Sequence, residues 1–145
     1  MFTVGIIGLG NMGARMALTL REHQLAVFGY DPDSYFREEL QTHGVELTSS
    51  IKELCSKVEV ILTSLPTTES VDAVILGENG VLDSLTKETY LIETSSINPE
   101  TTRLIGKKAN NSFLHFMDGP VCGGAVGARS GTMTMYLGGE GEDVK

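Results

Sequence analysis

The chain has 145 residues, which is enough for one domain of ordinary size. Its 41% hydrophobic and 21% charged residues are typical of a globular protein with a core and argue against disorder. The formal charge of -8, from 11 basic and 19 acidic residues, argues against nucleic acid as a partner, because a phosphate backbone needs a basic surface.

Short apolar runs rich in β-branched residues recur along the chain and predict buried strands. They cover residues 2–7, 25–30, 58–65, 90–94, 113–118 and 132–137. Helix-compatible segments separate most of these runs. This alternation predicts an α/β fold with a doubly wound, mostly parallel sheet of Rossmann type and helices on both faces.

Local signals mark where helices begin and end. Ser50 and Glu53 have the spacing of a capping box, in which each side chain accepts a hydrogen bond from a free backbone N–H group of the first turn. Asn98 stands before a first-turn proline, a pattern typical of a helix start. Gly44 and Gly77 are predicted to end helices.

The last part of the chain is rich in glycine. Residues 119–131 predict a tight loop beside a site, between two strands. Residues 138–145 are typical of a strand exit and the first turn of another helix. The interpretation is a nearly complete nucleotide-binding domain over residues 1–145, truncated at its C-terminal end.

Gly8-Leu9-Gly10-Asn11-Met12-Gly13 matches G-x-G-x-x-G directly after the first predicted strand. In that position the first glycine permits a tight turn and the second lets a pyrophosphate approach the backbone. The third lets the helix pack on the strand, and the helix N-terminus stabilises phosphate charge. The alternative is a strand–helix turn whose glycines serve packing alone.

Asp31 follows the second predicted strand, 23 positions after Gly8. This is close to the spacing of about 20 expected for the acid that binds the adenosine ribose of NAD. The carboxylate would repel the 2′-phosphate of NADP, and the next arginine, Arg37, is six positions away. NAD is therefore preferred over NADP. The alternative for Asp31 is a cap of the helix predicted over residues 34–42.

Hydroxyl-rich turns follow two further strands, at residues 63–68 and 93–99. Open α/β sheets bind ligands beyond the carboxyl ends of their strands, so these turns are expected to face the cofactor. Serine and threonine also favour such turns for backbone reasons, and this alternative stays open.

Five motifs in chain order resemble the β-hydroxyacid dehydrogenases, such as the 3-hydroxyisobutyrate dehydrogenases, over nearly the whole chain. They are the glycine loop, Ser64-Leu65-Pro66, Gly77-Glu78-Asn79-Gly80, Glu93-Thr94-Ser95-Ser96-Ile97-Asn98-Pro99, and Asp118-Gly119-Pro120-Val121-Cys122-Gly123-Gly124 continuing through Gly131-Thr132. Several motifs in the right order are more specific than one glycine loop.

The resemblance implies a site for each half of the cofactor and for a small carboxylate substrate. The implied cofactor-binding residues are Gly8, Leu9, Gly10, Asn11, Met12, Gly13, Asp31, Leu65, Pro66 and Ser96. The implied substrate-binding residues are Ser96, Cys122, Gly123 and Gly124. Leu65, Pro66 and Ser96 would line the nicotinamide half.

The chain departs from the family pattern at three points. Cys122 stands where the family usually has serine, and a thiol is a weaker donor. Glu93 replaces the usual aspartate. The catalytic lysine of the family lies in a Gly-x-x-x-Lys-x-x-x-Asn pattern of an all-helical domain, which is expected beyond residue 145 together with the contacts of a homo-oligomer. No catalytic residue is therefore expected within residues 1–145.

The function that the resemblance implies is hydride transfer between NAD and a small β-hydroxyacid or its semialdehyde. One alternative is a non-catalytic NAD(P)-binding module. Another is a 6-phosphogluconate-like dehydrogenase, which usually uses NADP and needs a cationic phosphate pocket; the Asp31-Pro32 pair argues against it.

Other candidate residues lack the context of a site. Cys55 and Cys122 fit neither a disulfide framework nor a zinc site, which favours the cytoplasm. No apolar stretch reaches the ~18 residues of a membrane span, and no basic segment precedes the first apolar run, so neither a membrane nor export is expected. The residues assigned to structure rather than chemistry are His23, His43, His115, Lys107, Lys108 and Lys145.

Overall fold

A computed structural model describes residues 2–110 and 112–144. Strands and helices alternate along most of these residues. The strands are β1 (Thr3–Ile7), β2 (Ala26–Tyr30), β3 (Glu46–Leu47), β4 (Val60–Thr63), β5 (Thr89–Glu93), β6 (Leu114–Asp118), β7 (Val121–Cys122), β8 (Thr134–Met135) and β9 (Gly138–Gly139). The helices are α1 (Asn11–Glu22), α2 (Arg37–Thr42), α3 (Ile51–Lys57), α4 (Thr68–Leu76), α5 (Val81–Ser84), α6 (Pro99–Ala109) and α7 (Gly124–Ser130).

The main sheet has the strand order β3-β2-β1-β4-β5-β6-β9. Its first six strands in this order pair in parallel, and only β9 pairs antiparallel, with β6. The doubly wound, mostly parallel sheet predicted from the sequence is therefore confirmed. The order changes direction between β1 and β4, and ligands of such sheets bind in the crevice beyond the strand ends at this point.

The core forms two layers, one on each face of the sheet. Successive side chains of a strand point to opposite faces, and Ile6 and Ile7 of β1 accordingly belong to different apolar clusters. Ile6 packs in the cluster that contains Leu18 of α1, whereas Ile7 packs in the one that contains Leu54 of α3. Burial on both faces explains why the central strands read as continuous apolar runs.

The predicted helix boundaries hold in part: α2 begins at Arg37 rather than at residue 34, and the predicted capping box at Ser50 and Glu53 needs a correction. Ser50 Oγ accepts a hydrogen bond from the N–H of Glu53 at 3.1 Å. The carboxylate of Glu53, however, accepts from the N–H and hydroxyl of Ser49, both at 2.7 Å, so the predicted capping box is only half formed. The side chain of Asn98 caps α6, and Gly44, with φ +82°, follows α2 as predicted.

The predictions for residues 119–137 were wrong in part. The expected tight loop over residues 119–131 contains β7 and α7, and α7 packs on α1, where Thr19 Oγ1 donates to the carbonyl of Ala128 at 2.8 Å. Only Thr134–Met135 of the strand expected over residues 132–137 is extended, and it pairs antiparallel with β7 outside the main sheet. Glycines with positive φ on both sides of α7, Gly123 and Gly131, let the chain reverse over this short distance.

The end of the described chain also differs from the expected helical turn. Gly138–Gly139 forms the edge strand β9, and residues 141–143 form a turn. Lys145 lies outside the described residues.

His115 of β6 lies between two carboxylates, away from the crevice at the strand ends. Its Nδ1 is 2.9 Å from Asp143 Oδ1, its Nε2 contacts Glu88, and its ring stacks on Tyr90 with centroids 4.5 Å apart. A protonated imidazole donates from both nitrogens, so both contacts are satisfied only in the charged form. The hydrogen bonds to Glu88 and Asp143 raise the pKa of His115.

We expect His115→Gln to destabilise the chain in acid and neutral solution but not in base. Because the pKa is raised in the folded state, the stabilisation is complete below the ordinary pKa of 6.5 and is lost as the pH rises through the raised value. Thermal unfolding measured from about pH 5.5 to about pH 9 tests this expectation. A Tm difference between the two chains that stays constant over this range would contradict it.

Candidate functional site

The loop between β1 and α1 requires glycine at two positions. Gly8 has φ +91°, and a Cβ atom there would lie 2.2 Å from the carbonyl oxygen of Ser64. A Cβ atom at Gly13 would lie 1.9 Å from the carbonyl oxygen of Gly8. Because both obstacles are backbone atoms, these glycines let the loop turn and let α1 approach β1.

Gly10 differs from these two glycines because a side chain added there would not clash with the protein. No heavy atom lies within 4 Å of a Cβ atom built there, and the residue is exposed. Gly10 also precedes α1, and no described side chain caps this helix. The free N–H groups of its first turn and the positive end of its dipole are therefore available to an anion.

A cleft of about 490 Å³ opens at the strand ends beside this loop. It brings together three segments that are distant in sequence: the glycine loop, the end of β2 and the loop after β4. Its lining residues are Ile7, Gly8, Gly10, Asn11, Met12, Tyr30, Asp31, Pro32, Ser64, Leu65, Pro66 and Val74. Most of the predicted cofactor-binding residues thus share one cleft.

Some of the predicted residues lie outside its lining. Leu9 and Gly13 are buried behind the loop, so they shape its backbone rather than its surface. Ser96 lies exposed on the loop after β5. The predicted substrate-binding residues Cys122 and Gly123 are exposed at the end of β7.

Asp31 stands at the rim of the cleft with both carboxylate oxygens engaged. Oδ2 accepts a hydrogen bond from the N–H of Leu9 at 2.8 Å, and Oδ1 accepts from the N–H of Asp33 at 2.9 Å. The alternative role of Asp31 as a helix cap is wrong, because α2 begins at Arg37, after Phe36. The carboxylate instead links the glycine loop to the end of β2.

Ser34 makes a second link between these loops that the sequence did not reveal. Its Oγ donates to the carbonyl oxygen of Leu9 at 2.8 Å and accepts from the N–H of Phe36 at 3.1 Å. Leu9, whose side chain is fully buried, is thus held at both its N–H and its carbonyl group. No feature of the sequence around Ser34 indicates this contact.

Arg37 lies closer to the cleft than its sequence position indicates. Its Nη1 donates to the carbonyl oxygen of Asp31 at 3.0 Å. The side chain is exposed, so its charge remains beside the rim where Asp31 stands.

The loops after β4 and β5 are joined by hydrogen bonds. The N–H of Leu65 donates to Ser95 Oγ at 2.8 Å, and the N–H of Asn98 donates to Thr68 Oγ1 at 3.2 Å. Thr67 caps α4 by accepting from the N–H of Ser70 at 3.1 Å. The turn at residues 63–68 is therefore both an ordinary helix cap and one wall of the cleft.

Two kinds of feature are absent from the described residues. They contain no cluster of three or more histidine, cysteine or acidic side chains that could hold a metal ion. Within the same residues, no helix is long and apolar enough to cross a membrane.

The chain matches known proteins over nearly its whole length. Residues 3–145 match the family model described as the NAD binding domain of 6-phosphogluconate dehydrogenase. The chain is 38% identical over 143 residues to a probable mitochondrial 3-hydroxyisobutyrate dehydrogenase of Dictyostelium discoideum, covering 97% of this chain and 44% of that protein. It is 35% identical over 144 residues to a 3-hydroxyisobutyrate dehydrogenase of Pseudomonas aeruginosa, covering 98% and 48%.

A solved structure shows the same architecture. The Mycobacterium tuberculosis 3-hydroxyisobutyrate dehydrogenase, in a structure with L-serine, superposes with a TM-score of 0.90 at 31% identity. The match covers 99% of this chain and 48% of that one. The chain therefore spans about half the length of the relatives it matches.

Proposed function

We propose that the cleft binds NAD, because the chain belongs to the β-hydroxyacid dehydrogenase family. Its membership is shown by the match of residues 3–145 to the NAD binding domain of 6-phosphogluconate dehydrogenase. The observation that carries this function is the meeting of Gly10, the uncapped start of α1 and the Asp31 carboxylate in one cleft. A helix N-terminus suits a pyrophosphate, and a carboxylate suits ribose hydroxyl groups. We assign residues 8–13 and Asp31 to the adenosine and pyrophosphate half of the cofactor.

We assign Leu65, Pro66 and Ser96 to the nicotinamide half. Leu65 and Pro66 line the same cleft beyond the end of β4, where a ligand of an open α/β sheet is expected. Ser96 follows β5, the neighbouring strand in the sheet. The cofactor would thus extend across the crevice from β2 toward β5.

For the protein that contains this domain, we propose hydride transfer between NAD and a small β-hydroxyacid or its semialdehyde. The names of the similar proteins support this activity, and the nicotinamide would supply the redox chemistry. Ser96, Cys122, Gly123 and Gly124 would hold the substrate carboxylate.

Oxidation of a hydroxyl group also needs a base for its proton, and no described lysine lines the cleft. We assign this role to a lysine of an all-helical domain that would also form the homo-oligomer. The cytoplasmic location stays a prediction.

We expect the chain to bind NADH at least about tenfold more tightly than NADPH, a difference of about 1.4 kcal/mol. The physical reason is that the 2′-phosphate of NADPH would meet the Asp31 carboxylate at the rim of the cleft. Titration of the chain with each dinucleotide, followed by nicotinamide fluorescence, gives both dissociation constants.

Two results would count against the proposed function. Failure to bind either dinucleotide would contradict a cofactor site in the cleft. Tight NADH binding without turnover of small hydroxyacids by the protein that contains this domain would favour the non-catalytic NAD-binding module instead.

A further inference from the structure

Glu93, at the end of β5, is a carboxyl group buried beneath the cleft rather than exposed in it. Its side chain is 0% exposed. Oε2 accepts a hydrogen bond from Thr63 Oγ1 at 2.5 Å, and Oε1 accepts from the N–H of Ser95 at 2.5 Å. Glu93 thus joins the end of β4 to the start of the loop after β5.

Ser95 extends this connection to the wall of the cleft. Its N–H donates to Glu93, while its Oγ accepts from the N–H of Leu65 at 2.8 Å. Leu65 and Pro66 line the cleft, whereas Glu93 and Ser95 do not. A continuous series of hydrogen bonds therefore runs from a buried carboxyl group to the backbone of the proposed nicotinamide site.

Burial of a carboxyl group such as that of Glu93 is costly unless its oxygens find partners. Burial raises the pKa of Glu93, and the nearby charge of Asp118 on β6 acts in the same direction. A buried polar group is tolerated when its hydrogen-bonding atoms have partners, and here each oxygen has one. Its two oxygens accept at the same time from two strand ends, which an apolar side chain could not do.

We propose that Glu93 and Ser95 are positioning residues that hold Leu65 and Pro66 in place for the nicotinamide half of the cofactor. Neither residue touches the part of the cleft formed by the glycine loop and Asp31. Replacing Glu93 or Ser95 should therefore weaken binding of the nicotinamide half and leave binding of the adenosine and pyrophosphate half unchanged. This inference rests on the proposed function, because it assumes that the cleft binds a dinucleotide.

The test compares NADH with ADP-ribose, which keeps the adenosine and pyrophosphate half and lacks nicotinamide. We expect Ser95→Ala to raise the Kd for NADH about tenfold, because the N–H of Leu65 loses its partner and the loop loses its position. The Kd for ADP-ribose should stay within about twofold of that of the unchanged chain. Fluorescence gives the first constant and calorimetry gives both.

Ser84→Ala is the matched control. Ser84 is as buried as Ser95 and also makes one hydrogen bond with its hydroxyl group, but it lies in α5 and does not line the cleft. We expect this variant to bind both ligands like the unchanged chain. Thermal unfolding of the variants checks that the two substitutions have comparable effects on stability.

Glu93→Gln tests the carboxyl group itself. The amide keeps one acceptor oxygen for two donors, so we expect a loss of NADH affinity of about threefold with unchanged ADP-ribose affinity.

An equal loss of affinity for NADH and for ADP-ribose in the Ser95 or Glu93 variant would overturn the positioning role. Unchanged NADH affinity in either variant would overturn it as well. If the unchanged chain binds ADP-ribose and NADH equally tightly, only this inference fails; if it binds neither, the proposed function fails with it.

Discussion

Gly13→Ala is expected to lower the free energy of unfolding by about 3 kcal/mol or more, whereas Gly10→Ala should change it by less than about 1 kcal/mol. The two residues belong to the same short loop and undergo the same chemical change. A methyl group at Gly13 would lie 1.9 Å from the carbonyl oxygen of Gly8, and this backbone atom cannot turn aside as a side chain would. A methyl group at Gly10 meets no atom of the protein within 4 Å.

For Gly10→Ala, the large effect is expected on ligand binding rather than on stability. Gly10 has φ -76° and ψ -160°, a conformation that alanine adopts without strain, so Gly10→Ala should fold normally. Its methyl group would occupy the space through which the pyrophosphate approaches the loop, and we expect the Kd for NADH to rise at least about tenfold.

Chemical denaturation and NADH titration of both variants provide the test. Unchanged NADH affinity in a folded Gly10→Ala chain would mean that the pyrophosphate does not lie against this loop. The glycines would then serve packing alone, the alternative that the sequence left open.

The parts of the fold that the sequence predicted are those with local signals. β1 is an apolar run closed by glycine, and the glycine loop after it matches the start of α1, so a short window of sequence contains the whole signal. The parallel sheet could be predicted for a similar reason, since an alternation of strands and helices along the chain is typical of parallel sheets.

The predictions failed where structure depends on contacts between distant residues. The segment over residues 119–137 has glycines typical of a loop, yet residues 124–130 become helical because they pack against α1, more than 100 positions earlier. Likewise, nothing near Ser34 indicates that its hydroxyl group reaches Leu9, and the distance of Arg37 from Asp31 in sequence concealed their contact. The fold of the loop at residues 31–36 determines both contacts.

The contact between Arg37 and Asp31 leads to the second large effect that we expect. Asp31→Ser should raise the Kd for NADH at least about tenfold, because it removes an acceptor for the ribose hydroxyl groups and weakens the link from Asp31 to the N–H of Leu9. The same substitution removes the negative charge that faces a 2′-phosphate. We therefore expect the preference for NADH over NADPH to disappear or reverse.

Arg37 determines which of these outcomes occurs. Its guanidinium group donates to the carbonyl oxygen of Asp31, so it lies within reach of a phosphate bound at the same rim. Arginine binds phosphate with strong, charge-assisted hydrogen bonds. Once the carboxylate is gone, Arg37 should attract the 2′-phosphate, and NADPH should bind the Asp31→Ser chain more tightly than it binds the unchanged chain.

The double variant Asp31→Ser, Arg37→Gln separates the two charges. If Arg37 supplies the attraction, this chain should lose the gain in NADPH affinity while its NADH affinity stays that of Asp31→Ser, because NADH has no 2′-phosphate for Arg37 to bind. Arg37→Gln alone should leave NADH binding within about twofold of the unchanged chain.

Two results would contradict these roles. An unchanged ratio of NADH to NADPH affinity in Asp31→Ser would contradict the role of Asp31 in selecting the cofactor. Equal NADPH affinity in the single variant Asp31→Ser and in the double variant would contradict the role of Arg37. If both of these results were found, cofactor preference in this cleft would be set neither by the Asp31 carboxylate nor by the Arg37 guanidinium group.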